Sequence, residues 1–209
     1  MPFGKTISVG VTGASGAVYA QTMLRLLDAD ARVEKVYLVV TDAGIRLLST
    51  ELGIVPTEPR RLAGLLTGTR AEKFAVLPNK DVGAAIASGS SPVDAMAVIP
   101  CSAGTLAAIA TGQSDDLLSR AADVCLKEGR RVVLCLRETP LNRIHMENML
   151  RAQAAGAVVM PAMPSFYHQP KSIDELVTQF VCRVLAQMEL AQEQAFRWEG
   201  GSAAKTAKP

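Results

Sequence analysis

Three short segments place small, hydroxyl and charged side chains where an apolar run gives way to a helical pattern. The first is Thr12-Gly13-Ala14-Ser15-Gly16-Ala17. Glycine lets a backbone approach a ligand closely, and free amides at a helix start attract phosphate. The spacing is not GxGxxG, so a nicotinamide dinucleotide is not indicated. A tight turn with Ser15 as N-cap accounts for the same residues equally well. The second segment, Pro100-Cys101-Ser102-Ala103-Gly104-Thr105, repeats the pattern. Two such segments at one sheet edge suit a mononucleotide, with ordinary capping by Ser102 or Thr105 as the plainer alternative. The third, Arg137-Glu138-Thr139-Pro140, sets an ionised pair where a buried strand ends, a costly placement unless a ligand or partner uses it.

Other polar residues carry less by themselves. Arg120 and Lys127 lie seven apart on one helical stretch, so they share a face that could simply be solvated. Ser88-Gly89-Ser90-Ser91 reads as a flexible loop or as a hydroxyl and amide nest for phosphate. Phe166-Tyr167-His168 follows Pro164 in a loop, where aromatics need core packing or a ligand, and Trp198 would staple down the C-terminus. Asp115-Asp116 resembles half of a magnesium-diphosphate motif, but no second acidic cluster answers it. Ser114 before this pair reads better as an N-cap, with acids favouring the first turn. His145 and His168 lack ligand spacing, and Cys101, Cys125, Cys135 and Cys182 form no CxxC pair. The cysteines read as reduced core thiols, and no metal is expected.

The elements that position these residues follow from an alternation of apolar runs and amphipathic stretches. Strands are expected over 6–12, 33–41, 95–100, 132–136 and 157–160, with a short one over 74–77. Helices are expected over 17–28, 44–51, from 105, and over 116–128, 141–155 and 172–193, with 52–80 otherwise irregular. Strands separated by helices of this length imply right-handed crossovers, hence a three-layer, doubly wound parallel sheet. The 209 residues fit a single domain over 1–200 with a frayed polar tail over 201–209. Hydrophobic residues reach 49% and mean hydropathy is +0.20, an excess that suits strands buried on both faces and a homo-oligomer. No run approaches the ~20 apolar residues of a membrane helix. A net charge of +2 does not indicate nucleic acid. The N-terminus runs straight into a strand without a signal peptide, so a cytoplasmic protein is expected.

Taken together, VTGASGAVYA, ASGSSPVDAMAVIPCSAGTLAAIATG, LLSRAADVCLKEGRRVVLCLRETPLNRIHMENML and GAVVMPAMPSFYHQP resemble the flavin prenyltransferases of UbiX type, in order and spacing. The long second and third blocks are specific; TGASG alone is not. The resemblance implies a flavodoxin-like or Rossmann-like fold, a homododecamer, and reduced FMN as acceptor. It further implies transfer of a dimethylallyl group from its monophosphate to N5 and C6 of the flavin, without metal, and delivery of prenylated FMN to a UbiD-type decarboxylase. Gly13, Ala14, Ser15, Thr41, Ser102, Ala103, Gly104, Thr105 and Arg137 would contact FMN. Ser90, Arg120, Lys127, Tyr167 and Arg183 would hold the prenyl phosphate, some from a neighbouring subunit. Glu138 would move protons, Ser15 would assist at the flavin, and Glu51 and Trp198 fall near the site. Asp42 stands where some members carry lysine. A flavin-dependent cysteine decarboxylase is disfavoured: no histidine precedes His145, and Gly104 stands where that family's asparagine belongs. An FMN-binding accessory subunit of an aromatic-acid decarboxylase is the alternative, disfavoured by Glu138 together with the cationic set. The pathway served, ubiquinone biosynthesis or aromatic acid breakdown, stays open.

Overall fold

The computed structural model of the chain describes residues 4–197. Residues 1–3 and 198–209, and with them Trp198 and the proposed tail, lie outside it. Six parallel strands form one sheet: β1 (Lys5–Val11), β2 (Val33–Val40), β3 (Phe74–Pro78), β4 (Ala95–Cys101), β5 (Arg131–Leu136) and β6 (Val158–Val159). Their order is β3-β2-β1-β4-β5-β6, the Rossmann-like version of the doubly wound arrangement. The helices are α1 (Ala17–Ala29), α2 (Asp42–Leu52), α3 (Leu62–Thr67), α4 (Ala103–Thr111), α5 (Leu117–Lys127), α6 (Arg143–Ala154) and α7 (Ile173–Gln187).

Alternation along each strand divides the core into two layers. Ile7, Val9, Val133 and Cys135 pack with α1, α3 and α7, whereas Val39, Met96, Val98 and Leu134 pack with α4 and α5. Both sheet faces are therefore covered, which is why the strands read as continuous apolar blocks. Burial pushes the Cys101 thiol up to about 12 and Cys125 to about 11. All four cysteines are buried and unpaired, as inert core thiols.

Three expectations change. The region taken as irregular contains α3, whose Leu62 and Leu66 are buried. The last helix ends at Gln187, six residues early, because Met188 and Leu190 bury and Glu189 turns the chain with φ 59°. The N-cap of α5 is Asp116 rather than Ser114; its side chain accepts from the Ser119 amide at 2.8 Å.

Candidate active site

The order of the sheet reverses between β1 and β4, and the crevice beyond their carboxyl ends is where such folds bind ligands. Four strand ends are tied across this rim. The Thr41 amide donates to Val11 O at 3.0 Å, joining the end of β2 to β1. Thr12, 1% exposed, donates its hydroxyl to Pro100 O and accepts from the Ser102 amide, both at 2.8 Å. The Arg137 amide donates to Cys101 O at 3.0 Å, joining β5 to β4. Thr41, Gly13–Ser15, Ser102–Thr105 and Arg137 thus form one row on neighbouring strand ends.

Local chemistry shapes each turn. Thr41 caps α2, accepting from the Gly44 amide at 3.0 Å, and Ser102 caps α4, accepting from the Thr105 amide at 3.2 Å. Gly13 lies against α2 so closely that a Cβ there would come within 2.5 Å of the Ala43 methyl. Gly104 is the opposite case: beyond its chain neighbours and its own helix backbone, no atom would lie within 4 Å of its Cβ, so the first turn of α4 is open on that side. At the start of α1 the cap position falls to Gly16, at φ 121°, with no side-chain cap from its own turn. Ser15 is therefore not the N-cap. Glu51, on α2, supplies the acceptor instead, taking the amides of Gly16 at 3.0 Å and Ala17 at 2.7 Å. Burial pushes the Glu51 carboxyl upward, but hydrogen bonds from the Ser15 side chain and these amides, with the charge of Arg137, hold it below its ordinary range.

Arg137 and Glu138 are exposed, and among the described residues no ion pair joins them. The strand ends at Leu136 as expected, but the desolvated pair is absent because the chain from Arg137 to Pro140 lies in solvent; Glu138 accepts from the Thr139 amide at 3.0 Å. Asp42 pairs with Lys80 at 3.9 Å across exposed surface, a contact worth little.

The expected phosphate-binding residues fall into two groups. Arg120 and Lys127 lie on α5 beside the 87–91 loop. Arg120 donates to Ala87 O at 3.1 Å, and Ser90 shares a hydroxyl contact of 3.0 Å with Ser88. Arg120 also pairs with Asp123 at 2.8 Å and Lys127 with Glu128 at 2.7 Å. Arg130, donating to Gly89 O at 2.5 Å, completes this basic cluster. The sequence reading singled out the Ser88–Ser91 loop but not Arg130, although Arg130 follows Lys127 by three residues. Tyr167 and Arg183 belong to the layer of α7, across the sheet. With Ser165, Gln179 and Phe196 they line a cavity of about 520 Å³.

A doubly wound sheet with an open cradle of small residues at its switch point defines a nucleotide-binding α/β protein. The profile of the Flavoprotein family matches residues 3–186. "Flavin prenyltransferase UbiX" of Pseudomonas aeruginosa is 43% identical over 197 residues, covering 92% of this chain and 93% of that protein. The crystal structure of AnUbiX in complex with FMN and dimethylallyl pyrophosphate matches with TM-score 0.84 and 40% identity, covering 94% of this chain and 98% of that one. A dodecameric FMN-dependent UbiX-like decarboxylase from Escherichia coli matches with TM-score 0.81 and 39% identity, over 93% of this chain and 100% of the other. The chain belongs to the flavoproteins and, within them, to the flavin prenyltransferases of UbiX type. The rim fits FMN: Gly104 leaves space at the α4 turn, and Gly13 and Ser15 are exposed beside it. Among the described residues no helix is long and apolar enough to cross a membrane.

Proposed function

We propose that the chain moves a dimethylallyl group from dimethylallyl monophosphate to N5 and C6 of reduced FMN, releasing phosphate and yielding prenylated FMN for a UbiD-type decarboxylase. The observation that carries this reading is the tied row of rim residues, Thr41, Gly13–Ser15, Ser102–Thr105 and Arg137, with Glu138 next in the chain. Reduced FMN, when bound there, supplies the nucleophilic nitrogen and ring carbon. In the balanced reaction the allylic C–O bond would break with its electrons leaving on phosphate, a C–N bond would replace N–H at N5, and a C–C bond would replace C–H at C6 as the alkene gives up its π bond and takes up one proton, so that one proton is released overall. Glu138 is assigned that proton and Ser15 a supporting place beside it. Arg120, Lys127 and Arg183, with the hydroxyls of Ser90 and Tyr167, are assigned the departing phosphate. Cations and hydroxyl donors stabilise a monophosphate leaving group without metal.

Arg120 and Lys127 lie in the α5 layer and Arg183 in the α7 layer, so a pocket using all of them is best built between copies. A homododecamer would provide such contacts.

The test is anaerobic incubation of the protein with reduced FMN and either dimethylallyl monophosphate or the diphosphate, followed by mass spectrometry of the flavin. A flavin heavier by one prenyl unit supports the proposal, and unchanged FMN with both donors overturns it. Glu138→Gln should slow product formation by roughly 100-fold or more while FMN stays bound. Loss of flavin in that variant would make Glu138 structural instead.

A further inference from the structure

After α7 the chain does not leave the domain but returns along it. Gln192 donates its side-chain amide to Asp30 at 3.0 Å and to Leu190 O at 2.8 Å, and Arg32 donates to Ala191 O at 3.1 Å. Farther along, Gln179 of α7 donates to Gln194 O at 3.0 Å and accepts from the Phe196 amide at 2.7 Å. Gln179 lies eight residues before the end of α7, about 12 Å back along the helix at 1.5 Å per residue. The strap 190–196 is thus fastened at its root and again beside the cavity lined by Tyr167 and Arg183. Phe196 forms part of that lining, with its ring 6.0 Å from the ring of His168.

Gln179 and Arg183 are four apart on one helix and so are neighbours on its surface. A primary amide both donates and accepts, and carboxylate or alkyl side chains cannot do both. We propose that Gln179 is a positioning residue: its two-way clamp holds Phe196 as a wall of the Tyr167–Arg183 cavity, so that a phosphate monoester meets Arg183 beside a fixed apolar ring. A wall already held in place removes the cost of ordering Phe196 when the anion binds. The anion's identity as a prenyl phosphate rests on the proposed function; the clamp itself does not.

The experiment compares the wild type with Gln179→Ala, using Gln179→Leu as a second variant that keeps side-chain volume on the helix. Amide hydrogen exchange at Phe196 is followed alone, with inorganic phosphate and with dimethylallyl monophosphate; donor KM, kcat and FMN Kd are measured in parallel. Losing two hydrogen bonds should speed exchange at Phe196 by roughly tenfold or more. Both phosphate compounds should slow that exchange in the wild type and not in the variants. Donor KM should rise roughly tenfold, with kcat within about twofold and FMN Kd unchanged. Equal exchange at Phe196 in all three proteins, or faster exchange with no change in donor KM, overturns the proposal. If the wild type makes no prenylated flavin, the functional reading falls, while exchange with inorganic phosphate still decides the clamp.

Discussion

The turns leaving β1 and β4 have similar compositions and lie side by side at the switch point, yet they satisfy their backbone donors differently. The β4 turn is self-sufficient: Ser102 caps α4 three residues ahead. The β1 turn borrows Glu51, 35 residues away, and the α1 start is complete only when α2 is docked. Because Glu51 already holds the amides of Gly16 and Ala17, the parts of that turn open to a ligand are Gly13 and Ser15, on either side of the buried Ala14. Similar residues at equivalent positions can therefore present different surfaces, one decided locally and the other by a distant carboxylate. Thr12 is the joint between them.

Breaking that joint should have the largest effect. Thr12→Val keeps the shape but removes both hydrogen bonds in a buried place, and should cost roughly 2–3 kcal/mol in denaturant unfolding. FMN affinity should drop with it, since the two turns would lose their common reference. A loss no greater than that of a surface threonine would mean the turns are positioned independently.

An intermediate effect is expected for Glu51→Ala, about 1 kcal/mol at pH 7, as for loss of an N-cap. Its pH dependence separates this contribution from packing. The folded carboxyl lies below its ordinary value of 4.5, so the unfolded chain takes up its proton first as pH falls. The stabilisation is complete above that value and is lost as pH drops through the lower folded one. The difference between wild type and variant should accordingly shrink toward acid, and a constant difference from pH 7 to pH 3 would contradict the carboxylate's role. The smallest effect belongs to Ser102→Ala, roughly 0.5–1 kcal/mol, because only one local cap is lost and Thr12 still holds the turn. If it equalled the Glu51 variant in size and pH dependence, the contrast between the turns would fail.

Much of the fold was legible because strands buried on both faces leave uninterrupted apolar blocks, and β1, β2, β4 and β5 appear within a residue or two of where those blocks lie. The element α3 was obscured by Pro56, Pro59 and the glycines around it, which read as breakers although tertiary packing buries Leu62 and Leu66. The end of α7 was missed because Met188 and Leu190 continue an apolar rhythm while serving a turn. The rim segments were readable as turns rich in small and hydroxyl residues. Whether each was capped locally was not, since local spacing says nothing of a carboxylate on another helix.

The layer architecture, the strand ends that carry Gly13, Ser102 and Arg137, and the family are all readable along the chain, because they depend on periodicity and on contiguous motifs. It took packing in three dimensions to bring Glu51 to the start of α1, to leave Arg137 and Glu138 exposed, and to fasten the returning strap to Gln179. Each depends on groups far apart in the chain or on where a strand meets solvent. The direction and distance of such contacts are set by how helices pack on the sheet, which no local spacing encodes.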